Sequence, residues 1–180
     1  MKLSALLSLL PLASAATTLI PSTCFDSHCS LEQYFAYLYP WGPDHNGSAR
    51  MVGNSTNHDS QPPTKSHRKI NYLSGAVHSA RTFTVKAGSG LDIEAEFQAP
   101  TARGTWPAFW LNGAHSWPPE IDIAEWKALD VKYPSPRDFQ KIKAEIRDVN
   151  GKDVSENVYL DGKLITTQYG RGYIGKPMHL

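Results

Sequence analysis

The last third of the chain consists of short alternating runs that are separated by strong turn signals. Residues 143–149, 154–160 and 164–167 each have the alternation and composition of a strand. Asn150-Gly151 and Asp161-Gly162 stand at the two junctions, and such dipeptides favour two-residue hairpins because they tolerate positive φ. Consecutive strands joined by hairpins indicate an antiparallel sheet. We therefore predict an all-β fold of sandwich or jelly-roll type.

Further strands are expected upstream. Residues 77–85 and the aromatic run 106–111 have strand composition, whereas residues 31–39 fit either a short helix or a strand. The run 91–97 alternates apolar and acidic residues almost strictly, which is typical of a half-buried strand. Its acids are expected to form a solvated face: Asp92, Glu94 and Glu96. The polar residues 54–69 are interpreted as a long surface loop.

The segment from Trp117 to Trp126 (WPPEIDIAEW) places three carboxylates within six residues. In a strand, Glu120 and Asp122 share one face and the isoleucines occupy the other. Glu125 lies at an odd spacing from Asp122 and would join the isoleucines. One extra residue in the strand returns Glu125 to the acidic face, and such β-bulges often lie beside active sites. We therefore predict a bulge after Asp122.

A helix is the alternative for the same segment. Pro118-Pro119 followed by acids is also typical of a helix start, since proline fits the first turn and acids favour the positive end of the dipole. A helix would spread the three acids around its first turns, with no chemical consequence. The aromatic strand before the segment and the hairpins after it favour the strand.

Carboxylates grouped on one strand face suggest hydrolysis of a glycosidic bond. Two carboxyls about 5–5.5 Å apart serve a retaining glycosidase as nucleophile and as proton donor. A third carboxylate between them would hold their pKa values apart, because like charges resist ionising together. The indoles of Trp110 and Trp117 flank the acidic segment and could stack on sugar rings, although a role in the core is the commoner one for tryptophan.

Two motifs together resemble glycoside hydrolase family 16, in its laminarinase or endo-1,3(4)-β-glucanase branch: residues 104–111 (GTWPAFWL) and 117–125 (WPPEIDIAE). The resemblance implies a concanavalin-A-like jelly roll with a cleft across its concave sheet. It implies retaining hydrolysis of β-1,3 or mixed-linkage β-glucan, with Glu120 as nucleophile, Asp122 as assisting carboxylate and Glu125 as acid/base. The residues expected to contact substrate are Trp110, Trp117 and Trp126.

The chain also departs from that family's pattern. Pro119 replaces the usual glycine before the first glutamate, and no further cleft strand is evident after Trp126. Residues 176–180 resemble the start of a strand that the family continues into several more. We therefore expect an incomplete jelly roll, and two alternatives stay open. The chain could be a non-catalytic glycan-binding homologue, or a polysaccharide lyase that uses His78 and Arg81.

The N-terminus has the pattern of a secretory signal peptide over residues 1–15, with a leucine-rich run before Ala13-Ser14-Ala15. We predict a secreted, extracellular protein in which residues 16–72 belong to one domain with a jelly-roll core over residues 73–180. Lys2 is the only charge in the leader, so 17 Lys and Arg remain against 17 Asp and Glu. The balance argues against nucleic acid or a membrane as partner and favours a neutral polymer as substrate. The resemblance implies that this polymer is a β-glucan, and we expect a monomer.

Secretion also sets the expected modifications. Cys24 and Cys29, the two cysteines of the chain, are expected to form a local disulfide in an oxidising compartment. Asn46 and Asn54 begin acceptor triplets for N-glycosylation. No cofactor is predicted, and no acidic cluster has the spacing that a structural calcium ion requires.

Overall fold

A computed structural model describes residues 16–43, 45, 47–53, 70–100, 104–125 and 138–180. A 3₁₀ helix (Ser22–Phe25) and helix α1 (His28–Tyr34) precede the strands. The strands are β1 (Phe35–Tyr37), β2 (Ala49–Met51), β3 (Tyr72–Ser74), β4 (Val77–Ser79), β5 (Gly90–Phe97), β6 (Ala108–Gly113), β7 (Glu120–Glu125), β8 (Gln140–Asp148), β9 (Val154–Leu160), β10 (Lys163–Gly170) and β11 (Met178–His179).

Two antiparallel sheets form the body of the fold. One has the strand order β10-β9-β8-β5 and the other has the order β11-β6-β7. A bridge between Phe83 and Met178, together with a hydrogen bond from the Ser79 amide to the Leu180 carbonyl (2.7 Å), joins β11 to the region of β4. Smaller pairs β1-β4 and β2-β3 complete the strands. The fold is the all-β jelly-roll sandwich that the strand pattern predicts.

The core lies between the two larger sheets. The four-stranded sheet contributes Ile142, Ala144 and Ile146 from alternate positions of β8, all at most 5% exposed. Leu111 of β6 and Met178 of β11 are fully buried opposite them in the same apolar cluster. The period-2 alternation of these strands is what places their isoleucines inside and their charges outside.

The outer face of β5 and β8 carries charges of both signs. Lys141 pairs with Glu94 at 2.7 Å, and Arg147 pairs with Asp92. Asp92, Glu94 and Glu96 are exposed on this face, which confirms the predicted solvated acidic face of the strand over residues 91–97.

Both predicted hairpins form, but only one of them has the predicted two-residue turn. Asp161 and Gly162 have φ of 48° and 80° and connect β9 to β10 directly, as a two-residue turn with positive φ at both positions requires. Asn150-Gly151 instead belongs to a five-residue connection over residues 149–153. There the Asn150 side-chain oxygen accepts the amides of Lys152 and Asp153, which stabilises a longer loop.

Residues 31–39 contain both of the elements that their composition allowed. Ser27 caps α1, since its hydroxyl accepts a hydrogen bond from the Ser30 amide. The Ser30 hydroxyl in turn accepts a hydrogen bond from the Ser27 amide. The helix ends at Tyr34, and β1 follows at once and pairs with β4.

The predicted Cys24–Cys29 disulfide is not formed in the structure. Cys24 is 4% exposed in the 3₁₀ helix, whereas Cys29 is exposed on α1, so the two thiols lie in different environments. Burial raises the pKa of the Cys24 thiol.

Several predictions fall on residues outside the described ranges. These are the signal peptide, the loop over residues 54–69, the strand sought after Trp126, and three site residues: Asn46, Asn54 and Trp126. Among the described helices, none has the length and apolar composition needed to cross a membrane.

Candidate active site

The acidic segment is a strand, and it contains the predicted bulge. β7 pairs with β6 as Phe109 opposite Ala124 and then Trp110 opposite Asp122. The register therefore shifts by one residue, and Ile123 has no partner of its own on β6. Pro119 precedes the strand, at the position where a missing amide donor is tolerated. The helical alternative for this segment is wrong.

The bulge brings all three acids to one face of the sheet. β6 is regular, so alternate residues of β6 share a face: Ala108, Trp110 and Asn112. Residues directly opposite one another in a ladder also share a face. The partners of these three residues are Glu125, Asp122 and Glu120. Ile121 and Ile123 point to the core, where they are 5% and 4% exposed.

Two donors hold the side chain of Glu120. The indole Nε1 of Trp117 donates to Glu120 Oε2 at 2.9 Å, and the amide Nδ2 of Asn112 donates to the same oxygen at 3.4 Å. The backbone amide of Glu120 lies 3.4 Å from the hydroxyl of Tyr173. Trp117 itself is 71% exposed, so its ring is open to a ligand while its nitrogen orients the carboxylate.

Glu120, Asp122 and Glu125 form an acidic row along β7, and Glu125 occupies the end opposite Glu120. It is exposed, and its Oε1 accepts a hydrogen bond from the indole Nε1 of Trp106 at 3.2 Å. Each terminal glutamate is thus oriented by an indole from the segment that precedes a strand. This placement leaves Glu120 and Glu125 on the same face, with Asp122 between them.

The central carboxyl titrates differently from an ordinary aspartate. Partial burial and the negative charges of Glu120 and Glu125 raise the pKa of Asp122 to about 6. Asp122 therefore keeps its proton into mildly acidic solution, where an ordinary aspartate has lost it. A protonated Asp122 relieves the repulsion within the row and can donate a hydrogen bond to a neighbouring carboxylate.

An aromatic cluster borders the acidic row. Trp110 meets the rings of Tyr39, Trp41 and His45 at centroid distances of 6.3, 6.2 and 5.9 Å. Tyr39 and Trp41 stack on each other at 4.9 Å, nearly parallel. Trp41 remains 47% exposed, so the cluster offers an open indole beside the carboxylates. Sugar rings stack on surfaces of this kind because their axial C–H faces are apolar.

The sheet face that carries the acidic row is the floor of the candidate cleft, and it extends from β7 across β6 to β11. His179 pairs with Asn112 in the ladder and so shares its face, and the rings of His179 and His78 meet edge to face at 5.2 Å. A pocket lies between this floor and the aromatic cluster, lined in part by Trp41, Trp110, Asn112 and His179. Sequence reasoning missed Asn112, Trp41 and His179. The position of Asn112, two residues after Trp110 in a regular strand, was the available signal.

The two residues considered for a lyase lie in different surroundings, because His78 lines the pocket with His179 whereas Arg81 does not. His78 directs its Nδ1 to the backbone carbonyl of Leu38 at 2.8 Å. Arg81 is exposed two residues beyond the end of β4. In the described ranges there is no group of three or more His, Cys, Asp or Glu side chains arranged to hold a metal ion.

Sequence reasoning also missed Glu156 of β9. Its side chain is 3% exposed and points into the core between the sheets, where burial and the charge of Asp122 raise its pKa to about 7. A signal was present, because Glu156 occupies the inward position between Val154 and Val158 in the alternation of the strand.

An all-β sandwich with a row of carboxylates and open indoles on one sheet face defines a class, the jelly-roll enzymes that act on carbohydrate. Comparison with known proteins narrows this class. The chain is 39% identical over 199 aligned residues to a galactan endo-β-1,3-galactanase of Flammulina velutipes, an alignment that covers 92% of this chain and 79% of that protein. The chain belongs to the glycoside hydrolase family of that protein, a GH16-like group of O-glycosyl hydrolases.

A second relative matches a shorter stretch. The endo-1,3-1,4-β-glycanase ExsH of Rhizobium meliloti (strain 1021) is 38% identical over 60 residues, which is 33% of this chain and 12% of that protein. No family model matches the chain, and no solved structure matches it.

Proposed function

We propose that the protein is a secreted, endo-acting hydrolase that cleaves β-1,3 linkages in a polysaccharide with retention of configuration. The observation that carries the proposal is the bulge at Ile123, which places Glu120, Asp122 and Glu125 on one face of β7 beside Trp110. The roles of nucleophile, assisting carboxylate and acid/base are those that the family resemblance implies. Secretion rests on the signal pattern in residues 1–15.

In the proposed first step, a carboxylate oxygen of Glu120 bonds to the anomeric carbon as the glycosidic C–O bond breaks. Glu125 gives its proton to the departing oxygen, and a glycosyl-enzyme ester remains. In the second step Glu125 takes a proton from water, whose oxygen bonds to the anomeric carbon and releases Glu120. Two displacements restore the original configuration.

The hydrogen bonds to the acids fit these roles. Trp117 and Asn112 fix the oxygen of Glu120 that they both contact, so its other oxygen is left to attack. A protonated Asp122 between the glutamates reduces the negative charge that the row must carry in the resting enzyme. Trp110 and Trp41 supply stacking surface for the neighbouring sugar units.

Two substrate classes are supported by different observations. A β-1,3-galactan is supported by the name of the relative that aligns with 92% of the chain, a galactan endo-β-1,3-galactanase. A β-1,3 or mixed-linkage β-glucan is supported by the paired motifs at residues 104–111 and 117–125, and by the name of the shorter relative. Both substrates share the β-linked pyranose backbone on which the carboxylates act.

The test is an assay of reducing ends released from β-1,3-galactan, laminarin and lichenan, with Glu120→Gln as the inactive reference. We expect release of oligosaccharides from at least one substrate, with the β anomer formed first when followed by proton NMR. Equal reducing ends from wild type and Glu120→Gln on all three would overturn the proposal. An ultraviolet-absorbing unsaturated product from a polyuronate would instead establish a lyase. Glycan binding without turnover would establish a non-catalytic homologue.

A further inference from the structure

Glu156 is a buried carboxyl that the proposed reaction does not use. It lies on β9 between the core residues Val154 and Val158, and it is 3% exposed. Its Oε1 is fully buried and has no hydrogen-bond partner in the described structure. Burying a carboxylate without partners is costly, so a position of this kind needs a reason beyond packing.

The surroundings of Glu156 place it behind the catalytic strand. A cavity of ≈ 40 Å³ is lined by Glu156 and by residues of β7 and β10, among them Glu120 and Ile121. That space is sufficient for a water molecule between polar groups. Glu156 thus reaches the start of β7 from the core side, while the acidic row lines the opposite, cleft side.

Among the residues that the structure describes, the strands paired with β9 place no cation beside Glu156. Its partner on β8 is Ile146, and the charged residues beside Ile146, Glu145 and Arg147, belong to the outer face of that sheet. Its partner on β10 is the uncharged Gln168. Tyr169 and Tyr173 also line the cavity. In the described ranges, the titratable groups that line the cavity with Glu156 are Glu120, Tyr169 and Tyr173, and the charge of Asp122 acts on Glu156 from the cleft side of β7.

The charge of Asp122 acts on Glu156 through this region. Burial is the larger cause and the negative charge of Asp122 the smaller one in raising the pKa of Glu156 to about 7. Electrostatic coupling is reciprocal, so an ionised Glu156 would act equally on Asp122.

We propose that Glu156 is a positioning residue of the glycosidase site. Glu156 remains uncharged on the core side of β7, and this allows the carboxyls on the cleft side to ionise as the reaction requires. Ionisation of Glu156 would add a buried negative charge next to a strand that already bears three carboxyls. That charge opposes the ionised state that Glu120 needs as nucleophile. The inference rests on the proposed function for its link to turnover.

The first test concerns the coupling itself and needs no substrate. Side-chain ¹³C carboxyl shifts of the wild-type protein are followed by NMR from acidic to alkaline pH, with Glu156 assigned through its backbone. We expect Glu156 to titrate near neutrality and its midpoint to fall in the Asp122→Asn variant. An ordinary midpoint for Glu156, or one that Asp122→Asn leaves unchanged, would overturn the proposal.

The second test links Glu156 to turnover. The kcat/KM of Glu156→Gln and of wild type is measured from pH 5 to 9 on the substrate found active. We expect the wild-type value to decline as Glu156 ionises, and the ratio of kcat/KM at pH 8 to that at pH 6 to be at least about threefold higher in Glu156→Gln. Glu96→Gln, an exposed glutamate on the outer face of β5, is the matched control and should follow wild type.

The two tests separate the possible failures. Superimposable pH profiles for wild type and Glu156→Gln, with both folded by circular dichroism, would overturn the positioning role. NMR coupling in a protein that cleaves none of the glycans would support the Glu156–Asp122 pair and overturn the hydrolase proposal. If Glu156→Gln does not fold, the Asp122→Asn titration decides, because it leaves Glu156 in place.

Discussion

Strands β5 and β7 carry nearly the same pattern of acids between apolar residues, and they face different surroundings. The acids of β5 lie opposite a strand that supplies cations, so Asp92 meets Arg147 and Glu94 meets Lys141. The acids of β7 lie opposite β6, which presents Ala108, Trp110 and Asn112 on the shared face. One pattern of alternation therefore gives a neutralised outer face in β5 and a concentrated row of carboxylates in β7.

The titration of the acids follows this difference. On the outer face, the hydrogen bond and charge of Lys143 lower the pKa of Glu145. In the acidic row, burial and two neighbouring glutamates raise the pKa of Asp122. Alternation predicts that a strand has an acidic face, but the residues of the adjacent strand decide whether that face is solvated surface or a site.

The largest expected contrast is in turnover. Glu120→Ala should lower kcat by at least about 10³-fold, because the carboxylate that bonds to the anomeric carbon is lost. Glu94→Ala on β5 should stay within about twofold, since it removes one exposed ion pair. Kinetics on an activated aryl glycoside of the sugar that the substrate panel identifies provide the measurement.

Rescue by azide sharpens the same contrast, because it distinguishes the catalytic roles of Glu120 and Glu125. Azide should restore turnover of Glu120→Ala with an α-glycosyl azide product, since it replaces the nucleophile in a single displacement. With Glu125→Ala the product should be the β-glycosyl azide. The reverse pairing of variants and products, read by NMR, would exchange the assigned roles of Glu120 and Glu125.

The next contrast is in the pH dependence of stability. As pH rises, Glu156 is expected to lower the stability of the folded protein and Glu145 to raise it. Glu156 titrates at about 7 in the folded protein against a reference of 4.5, so the folded state binds the extra proton between these values. Stability is therefore lost as pH rises through that window, by about 2–3 kcal/mol. Glu145 has a lowered pKa, so its contribution is present above the unfolded value and is lost on acidification.

Urea unfolding at pH 4 and pH 8 checks both signs. Relative to wild type, Glu156→Gln should gain stability on going from pH 4 to pH 8, because it lacks the ionisation that destabilises the folded protein. Glu145→Gln should lose stability over the same change. A Glu156→Gln curve parallel to wild type across this range would show that the buried carboxyl does not titrate there.

Alternation and turn signals were sufficient for the four strands of the larger sheet, for β6 and for the bulge in β7, whereas β11 was expected only from the family resemblance. Local pattern does this well because a strand repeats every two residues and a carboxylate at an odd spacing is visible. The five-residue loop at Asn150 was missed because the side chain of Asn150 stabilises a longer connection than its dipeptide suggests. Cys24 and Cys29 were paired because they are the two cysteines of a chain expected in an oxidising compartment, and that argument does not show that one thiol is buried.

The site itself was only partly predictable. The three carboxylates and Trp110 are contiguous in two motifs, and local alternation places them. Asn112 follows Trp110 by two residues in β6, so the same alternation could have placed it. His179 joins them through the pairing of β11 with β6, more than sixty residues apart, and Trp41 lies in the segment after β1. Contacts of that range depend on the packing of distant segments, for which a single sequence has no local signal.

A smaller effect is expected from the aromatic cluster. Trp110→Ala should raise KM or lower kcat/KM by about tenfold, since it removes one stacking surface beside the row. Trp41→Ala should have a weaker effect in the same direction, because Trp110 pairs directly with Asp122 whereas Trp41 lies in the segment after β1 and contacts Trp110. Phe139→Ala, an exposed aromatic just before β8, serves as the control. Equal kinetics for Trp110→Ala and the control would remove Trp110 from substrate binding.

The smallest effect is expected at Asp92, and the opposite sign expected at Asp122 returns to the comparison of the two strands. Asp92→Asn should cost at most about 0.5 kcal/mol of stability at pH 8, because exposed ion pairs are weak and salt screens them. Asp122→Asn should instead gain stability at pH 8. The raised pKa of Asp122 means that ionisation above about pH 6 disfavours the folded state, and asparagine avoids it. Thermal unfolding of both variants in low and high salt tests this, and a loss of stability in Asp122→Asn would show that the row is neutralised as fully as the face of β5.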